Sequence, residues 1–529
     1  MRNRVALFVI LIFCFLADIH GDEFHSIDGL YGERASGLAG AYSALSDDPS
    51  GAYYNPGGLI FAVANRVSLS ASGYNKTSKS FENLLGFGQS YERKSSAYAP
   101  NLIGSLNVFG KFAVAFTVVN TRLEDFNQAD QFYYPHFFSQ LNQITSDYTN
   151  NATQFLIGPS LSYRLSNRLG FGVSLYYFND RMRTRIDSRG VFTTDGFTTL
   201  TTNDARTTDG LEPVFGWQYI VSKTLSLGLS VRRKFLNSKH RRTSYISTPQ
   251  YMDPYNYNVV TTQTGPPGTP ATTTYSPLLA SDYLIDESTG DIMSWFVPVE
   301  SIPVSNKTGL NDSILVGKSL STARIPEVPQ LRMGFAYYPT PKFLLSFDFI
   351  YTDGYSVKKN LYMVDINNPI VYYNDDRYRQ LELLSTRNFA IGMEYYLTES
   401  LVIRGGYFTN KSNTKPINRT LRAMVYLYQE LQSLDTLSAS TGGGGYLIYA
   451  NPELSTPARN EKIDLEGISL AVGYETAKNS TSLTYVLQKE NIFQTSGSRT
   501  GMPQLLQVGF AAPMKYRNQT ILLSAGIKY

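Results

Sequence analysis

The chain has 529 residues, 42% of them hydrophobic and 13% aromatic, and a formal net charge of +4. Only 17% are Asp, Glu, Lys or Arg, below the roughly one quarter usual for a soluble domain, so the polar surface is built mainly from Ser, Thr, Asn, Gln and Tyr. That balance suits a β-rich wall facing lipid on one side and water on the other, and the absence of clustered basic residues excludes a nucleic-acid footprint.

Residues 1–21 read as an export signal: Arg2 and Arg4 precede the apolar run Val5 to Leu16, and polar residues begin at Asp18. The run is too short for a spanning helix, which needs about 20 apolar residues, and cleavage is expected near Gly21. Cys14 is the only cysteine. Leu11 to Cys14 forms a degenerate lipobox, but the bulky Phe13 argues against lipidation. Without Cys14 the mature chain has no thiol, which suits an oxidising periplasm. No later stretch approaches a transmembrane helix, so a membrane form has to be a barrel.

Residues 22–65 differ from all that follows: they are rich in Gly, Ala and Ser and lack alternation. Beyond them the strongest signal is period-2 hydrophobicity in segments of roughly ten residues, the pattern of a membrane barrel. Phe343, Leu345, Phe347, Phe349 and Tyr351 alternate with Ser346 and Asp348. Leu331, Met333, Phe335 and Tyr337 alternate with Arg332, Gly334 and Ala336. Phe389, Ile391, Met393 and Tyr395 alternate with Ala390, Gly392 and Glu394, and Ile521 to Tyr529 repeats the pattern.

Strands are expected at 66–74, 96–108, 112–120, 153–164, 169–178, 211–220, 224–234, 328–339, 343–352, 386–397, 401–409, 466–475, 480–488 and 518–529, fourteen in all. A candidate at 503–512 is assigned to a loop, because bacterial single-chain barrels have even strand numbers. Short turns on one side contrast with long connections at 121–152, 179–210, 235–327, 353–385 and 410–464, the outer-membrane arrangement. The fold class is therefore all-β, a 14-stranded antiparallel transmembrane barrel. Its lumen is wider than side chains alone fill, and residues 22–65 are the natural plug, with 66–529 forming the barrel. Small residues on the polar face fit a wall that lines a filled lumen.

Within the plug, Gly37-Leu38-Ala39-Gly40-Ala41-Tyr42-Ser43-Ala44, then Asp47-Asp48-Pro49-Ser50, then Tyr54-Asn55-Pro56-Gly57-Gly58-Leu59 resembles the N-terminal hatch of the FadL-type long-chain fatty-acid transporters. Gly57 departs from the family's usual Ala, a small-for-small change that adds backbone freedom. The segments Ile325 to Pro329 with Arg332, Tyr351 to Gly354, Arg387 to Tyr395 and Arg404 to Tyr407 are similar to the family's central hairpins. The terminal Tyr529 resembles the aromatic end read by barrel-assembly machinery.

The resemblance implies an outer-membrane channel that takes up long-chain fatty acids or other hydrophobic molecules by diffusion. The hatch would rearrange, and cargo would leave through a lateral gap beside a kinked third strand, here Phe112 to Asn120.

Several residues have two open readings. Asn55-Pro56, with Gly57, is either a structural turn holding the plug or part of a gate. Asp47 and Asp48 lie in the lumen and are expected to pair with inward arginines, with Arg332, Arg404 and Arg164 as candidates; Asp348 and Glu394 are further lumen charges. Phe132, Tyr133, Tyr134, Phe137 and Phe138 form the most aromatic run outside the strands. They suit capture of an apolar molecule, an interfacial belt, or packing between loops.

Catalysis finds no support: the four histidines (His20, His25, His136 and His240) have no metal spacing, and no serine sits on a nucleophile elbow. No cofactor or metal is expected. Apolar burial favours entry of an acyl chain by about 0.8 kcal/mol per methylene, and an inward Arg or Lys would hold its carboxylate. Outer-membrane lipids are the expected surroundings. The rival reading is a surface adhesin or host-ligand-binding barrel that uses loops 235–327 and 410–464; a second is a plain pore for polar solutes.

Overall fold

The computed structural model describes residues 25, 27, 29–81, 91–133, 141–192, 197–250, 282–286, 292–304, 312–321, 328–354, 361–365, 384–413, 463–490 and 514–529. The signal segment with Cys14, the 503–512 stretch, and Tyr134, Phe137 and Phe138 lie outside them.

The wall begins with β1 (Arg66–Phe81), β2 (Tyr91–Phe109), β3 (Phe112–Tyr133), β4 (Leu141–Arg164), β5 (Leu169–Phe192), β6 (Phe197–Ser222) and β7 (Leu225–Arg232). After a second tier made of β8 (Phe235–Gln250), β9 (Asp282–Asp286), β10 (Ile292–Val304) and β11 (Asp312–Ser321), it resumes with β12 (Gln330–Thr340) and β13 (Phe343–Thr352). The short β14 (Leu361–Asp365) pairs with β9, and β15 (Thr386–Tyr396), β16 (Leu401–Asn410), β17 (Leu465–Glu475), β18 (Asn479–Glu490) and β19 (Met514–Lys528) complete the wall. β7 pairs with β12, β13 with β15, and β19 returns to β1 from Arg66↔Lys528 to Phe81↔Met514, so fourteen antiparallel strands close on themselves. Closure pairs every wall strand on both sides over at least part of its length, which satisfies most of the backbone that crosses a bilayer.

The alternation reads out directly as inside and outside. Leu227, Leu229, Met333, Phe335, Leu345, Phe347, Ile391 and Met393 are exposed on the outer skin, while Ser226, Ser230, Arg332, Ser346, Asp348 and Glu394 are buried inside. An apolar exterior on a closed barrel is the surface that lipid tails solvate, and the chain is a membrane-spanning barrel of the outer-membrane type.

The hairpins are far taller than the alternation suggests. β4 and β5 run 24 residues and β6 runs 26, whereas a membrane crossing needs about 9–11. The stretches 121–133 with 141–152, and 179–192 with 197–210, expected as loops, are thus continuous ladder: Asn151 pairs with Arg183, and Arg185 with Asn203. They escaped notice because a strand above the bilayer is wetted on both faces, and its sequence loses apolar alternation. Likewise 235–327 carries strands rather than a free loop. β8 continues the line of β7 along β6, pairing Leu211↔Phe235 just above Val214↔Arg232, and β11, β10, β9 and β14 follow in order.

Candidate functional site: the filled lumen and a window in its wall

Residues 29–61 lie inside the cylinder. They form a loose chain with two short helices, α1 (Glu33–Gly37) and α2 (Gly51–Tyr54), and a 3-10 turn at Pro56–Phe61. Partners on every strand of the wall fix this position. They run from Arg66 (β1), Asn101 (β2) and Thr121 (β3) through Arg164, Ser174, Trp217 and Ser226 to Gly334, Asp348, Glu394, Gly406, Ser469, Ser480 and Leu522. A segment touching all sides of a closed wall is enclosed by it.

Two features of the sequence make the fit. Inward glycines leave room for backbone: a Cβ on Gly228 would stand 2.0 Å from Ser43 O, on Gly172 2.3 Å from Pro56 O, and on Gly392 2.7 Å from Leu38 O. Wall hydroxyls then satisfy carbonyls that so irregular a segment leaves open. Ser174 donates to Ala52 O at 2.7 Å, Ser226 to Ala44 O at 2.8 Å, Ser230 to Tyr54 O at 2.7 Å and Ser469 to Gly37 O at 3.0 Å. Tyr31, Tyr42, Tyr53 and Tyr54 form the centre, edge to face at 4.8–5.7 Å.

Asn55 is a hub of the segment. Its Nδ2 donates to Ser43 O at 2.6 Å and to Trp217 O at 2.8 Å, and its Oδ1 accepts from Gly57 N at 3.0 Å, opening the 3-10 turn in which Pro56 comes first. Gly57 needs no unusual dihedral, since it is not among the positive-φ residues. It is glycine for lack of space, because a Cβ would lie 2.6 Å from Gly216 O and 2.8 Å from Trp217 Cα.

The charges arrange themselves differently from the sequence expectation. Asp47 pairs with Arg34 of the same segment at 3.2 Å and accepts from Tyr42 Oη at 2.9 Å; it is partly exposed. Asp48 is buried and accepts from Ser50 N at 2.8 Å, a local turn. Neither meets Arg332, Arg404 or Arg164. Arg164 instead donates to Ile60 O at 2.7 Å, and Arg332 lies 5.4 Å from the Tyr54 ring centroid and donates to Gln330 at 3.2 Å.

The ties between wall and segment are made by acids of the wall. Glu394 takes a bidentate pair from Arg34, at 3.0 and 2.8 Å, and a bond from Arg404 at 2.6 Å; Arg404 also holds Glu475. Arg404 is completely buried. Asp348 accepts from Tyr42 N at 3.3 Å, from Ser43 N at 3.1 Å and from Ser43 Oγ at 2.5 Å. Glu394, Arg404, Asp348 and Arg332 were therefore legible as lumen charges. Arg34 was missed, although a lone cation in a small-residue plug was a usable signal.

On the opposite side the wall is interrupted. β2 and β3 pair only from Phe109↔Phe112 to Leu102↔Val119. Above that, three adjacent strands are irregular at one level: β1 shifts register against β19 between Ser72 and Tyr74, β2 against β1 between Ser70 and Ala71, where Asn101 is the extra residue, and β3 against β4 between Asn120 and Arg122. Pro100 has no N–H to give a ladder. Bulges bend strands and end pairing, and here they border a cavity lined by Leu30, Tyr31, Asn75, Pro100, Asn101, Asn120 and Thr121 among others, about 510 Å³ counting its open side. The outward-facing Ile103, Phe116 and Phe155 flank it with apolar surface. Higher up, the Gln128 amide spans the two strands, accepting from Lys94 N at 3.0 Å and donating to Glu92 O at 2.5 Å. The strand expected at the gap, Phe112 to Asn120, is thus fully laddered as far as Val119, and the opening starts where it was expected to end.

At the rim of the described structure Tyr133 is exposed at the top of β3. Tyr529 ends β19's edge, its N–H donating to Asn65 O at 3.1 Å and its hydroxyl to Asn107 Oδ1 at 2.7 Å. Among the described residues no helix is long and apolar enough to cross a membrane, and no cluster of His, Cys, Asp and Glu could hold a metal.

No family model and no curated protein sequence matches the chain. Solved structures do. The P. putida toluene transporter TodX aligns over 95% of this chain and 99% of its own, at 11% identity and a TM-score of 0.52. The Ralstonia pickettii toluene transporter TbuX aligns over 95% and 99% at 9% identity and a TM-score of 0.49, and a Pseudomonas aeruginosa FadL homologue over 94% and 99% at 12% identity and a TM-score of 0.46. Identities this low speak to fold alone, and only the first score reaches the level of a shared fold. The fold is that of the FadL-type outer-membrane transporters, a closed 14-stranded antiparallel barrel.

Proposed function

We propose that this barrel is an outer-membrane uptake channel for hydrophobic small molecules, in which residues 22–65 act as a hatch and cargo leaves sideways through the wall. The observation that carries the reading is the pairing of a filled lumen with an interrupted wall. An open water path is blocked by the packed segment, while the break between β2 and β3 faces apolar outer surface. A polar solute would gain nothing from such an exit; an apolar one passes from protein to lipid without meeting water. The relatives in fold are described as toluene transporters and a FadL homologue, and the hatch-like motif points to long-chain fatty acids, so acyl chains and small aromatic compounds are the two cargo classes to compare. Asn55, Pro56, Gly57 and the Arg34–Asp47 pair would take part in gating, Asp48 would hold the Ser50 turn, and the aromatic run at 132–138 would capture cargo. Tyr529 would serve assembly of the barrel.

The reading is tested by uptake of labelled oleate and labelled toluene into cells whose own channels of this type are deleted. Expression of the chain should raise the initial rate for at least one of them over an empty vector. Equal rates for both, with stable ion conductance of the purified protein in planar bilayers, would instead identify an open pore.

One observation favours a second role. The ladder of β3 to β6 and the tier of β8 to β11 rise well beyond a membrane crossing, which suits a displayed binding surface for host molecules. Removing 235–327 and 410–464 would separate the two roles, since adhesion would vanish and uptake would persist.

A further inference from the structure

We infer that the window between β2 and β3 selects uncharged cargo carrying a hydrogen-bond donor, with Asn101 as the specificity-determining residue and a phenol-type hydroxyl as the group it reads. The inference rests on the uptake reading above and sharpens its cargo. The cavity is lined by neutral side chains, Leu30, Tyr31, Asn101, Asn120, Thr121 and Leu123 among them, and by no Asp, Glu, Lys or Arg. A carboxylate entering there would shed water with no cation to replace it, and the penalty for an unpaired ion in such surroundings is severe.

Among the described residues, cations elsewhere in the lumen already have partners: Arg164 donates to Ile60 O at 2.7 Å and Arg332 to Gln330 at 3.2 Å. Arg34 and Arg404 share Glu394, Arg66 holds Glu33 at 2.6 Å, Arg232 holds Glu212 at 3.3 Å, and Arg122 faces Asp180 at 3.6 Å. Lys79 lies over the rings of Phe126 and Tyr516, and Lys234 over Phe178. A fatty-acid carboxylate would have to compete with these partners, and none of the nine cations lines the cavity.

Asn101 supplies the positive side of the selection. As the bulged residue of β2 it is turned toward the lumen segment, and its Nδ2 donates to Leu30 O at 3.0 Å. That bond fixes the amide and leaves Oδ1 buried without a partner among the described residues. A buried acceptor left unmatched favours a ligand that brings a donor, and a site built around such an atom discriminates against analogues lacking it. The apolar remainder (Leu30, Leu123, Val486 and Leu522) takes the ring or chain that carries the hydroxyl.

The test compares three single-ring probes in cells expressing the full chain in an outer membrane without other channels of this type: 4-ethylphenol, ethylbenzene and 4-ethylbenzoate, each as an initial uptake rate above empty vector. We expect 4-ethylphenol to enter about five times faster than ethylbenzene, and 4-ethylbenzoate to enter at least about tenfold more slowly than either. Asn101→Leu should bring the ratio of phenol to ethylbenzene uptake down to about one, with heat-modifiable gel mobility of the extracted barrel reporting that the variant is assembled. If the benzoate enters as fast as the neutral probes, or if the wild-type phenol shows no advantage, the selectivity is overturned while uptake stands; these ratios need no variant. A phenol-to-ethylbenzene ratio that stays at the wild-type value in the assembled Asn101→Leu protein overturns the assignment to Asn101. If none of the three exceeds the vector, the uptake reading itself falls and this inference with it.

Discussion

The two sides of the lumen hold the N-terminal segment by different means. Toward β13, β15, β16 and β17 the contact is ionic and buried, through Asp348 on the Tyr42–Ser43 backbone and the chain Arg34–Glu394–Arg404–Glu475. Toward β2 and β3 it is neutral, with Asn101 on Leu30 O and Tyr31 Oη on Thr121 O at 3.2 Å, while on β1 the ionic grip continues through Arg66 on Glu33 at 2.6 Å. A buried pair is costly to break from one side, because the remaining charge has no water to return to, whereas neutral bonds contribute about 1 kcal/mol each. In the proposed hatch role the segment would hinge on the ionic side and yield beside β2 and β3, where the wall is open. A hatch needs that asymmetry: it must let cargo past without leaving the barrel.

The comparison breaks most readily at Glu394. Glu394→Ala leaves Arg34 and Arg404 facing each other and should cost about 3–5 kcal/mol, read as a lower urea midpoint for the barrel refolded in vesicles, and it should turn a quiet bilayer into a conducting one. Asp348→Ala comes next, at about 2–3 kcal/mol for the loss of charge-assisted bonds to Ser43, with a smaller rise in conductance. If either variant conducts no more than the parent protein, the ionic side is not the anchor. Gly57→Ala tests steric fit and should cost about 2 kcal/mol, since the wall backbone cannot give way as a side chain does; a neutral result would restore backbone freedom as the reason for glycine. The smallest effect on stability belongs to the neutral side. Gln128→Ala should change the urea midpoint by about 1 kcal/mol or less yet raise hydrophobic uptake, because the amide rung over the window is gone. Reduced uptake would mean that the rung shapes the window rather than closing it.

The positions of the wall strands were legible because lipid imposes a strict rule. Every second residue must be apolar for the length of a crossing, and Leu345, Phe347 and Phe349 obey it. The rule lapses above the bilayer, which hid the ladder at Asn179 to Phe192 behind its Arg, Asp and Ser content. The lumen charges on strands, Arg332, Asp348, Glu394 and Arg404, were legible by the same parity, since a charge on the non-lipid phase of the alternation has to point inward. Their partners were not. Arg34 and Glu394 stand 360 residues apart, and only the register of one strand against the next brings them together, so nothing local shows that Arg332, Arg404 and Arg164 take partners other than Asp47 and Asp48.

The sequence by itself determined a closed wall with an oily skin and a small-residue N-terminal insert, because period and side-chain size are properties of short stretches of chain. The tertiary structure alone decided which acids grip that insert and where the wall opens. Pairing across hundreds of residues and three bulges meeting at one level depend on how strands align around a closed ring, and that alignment is a property of the whole cylinder.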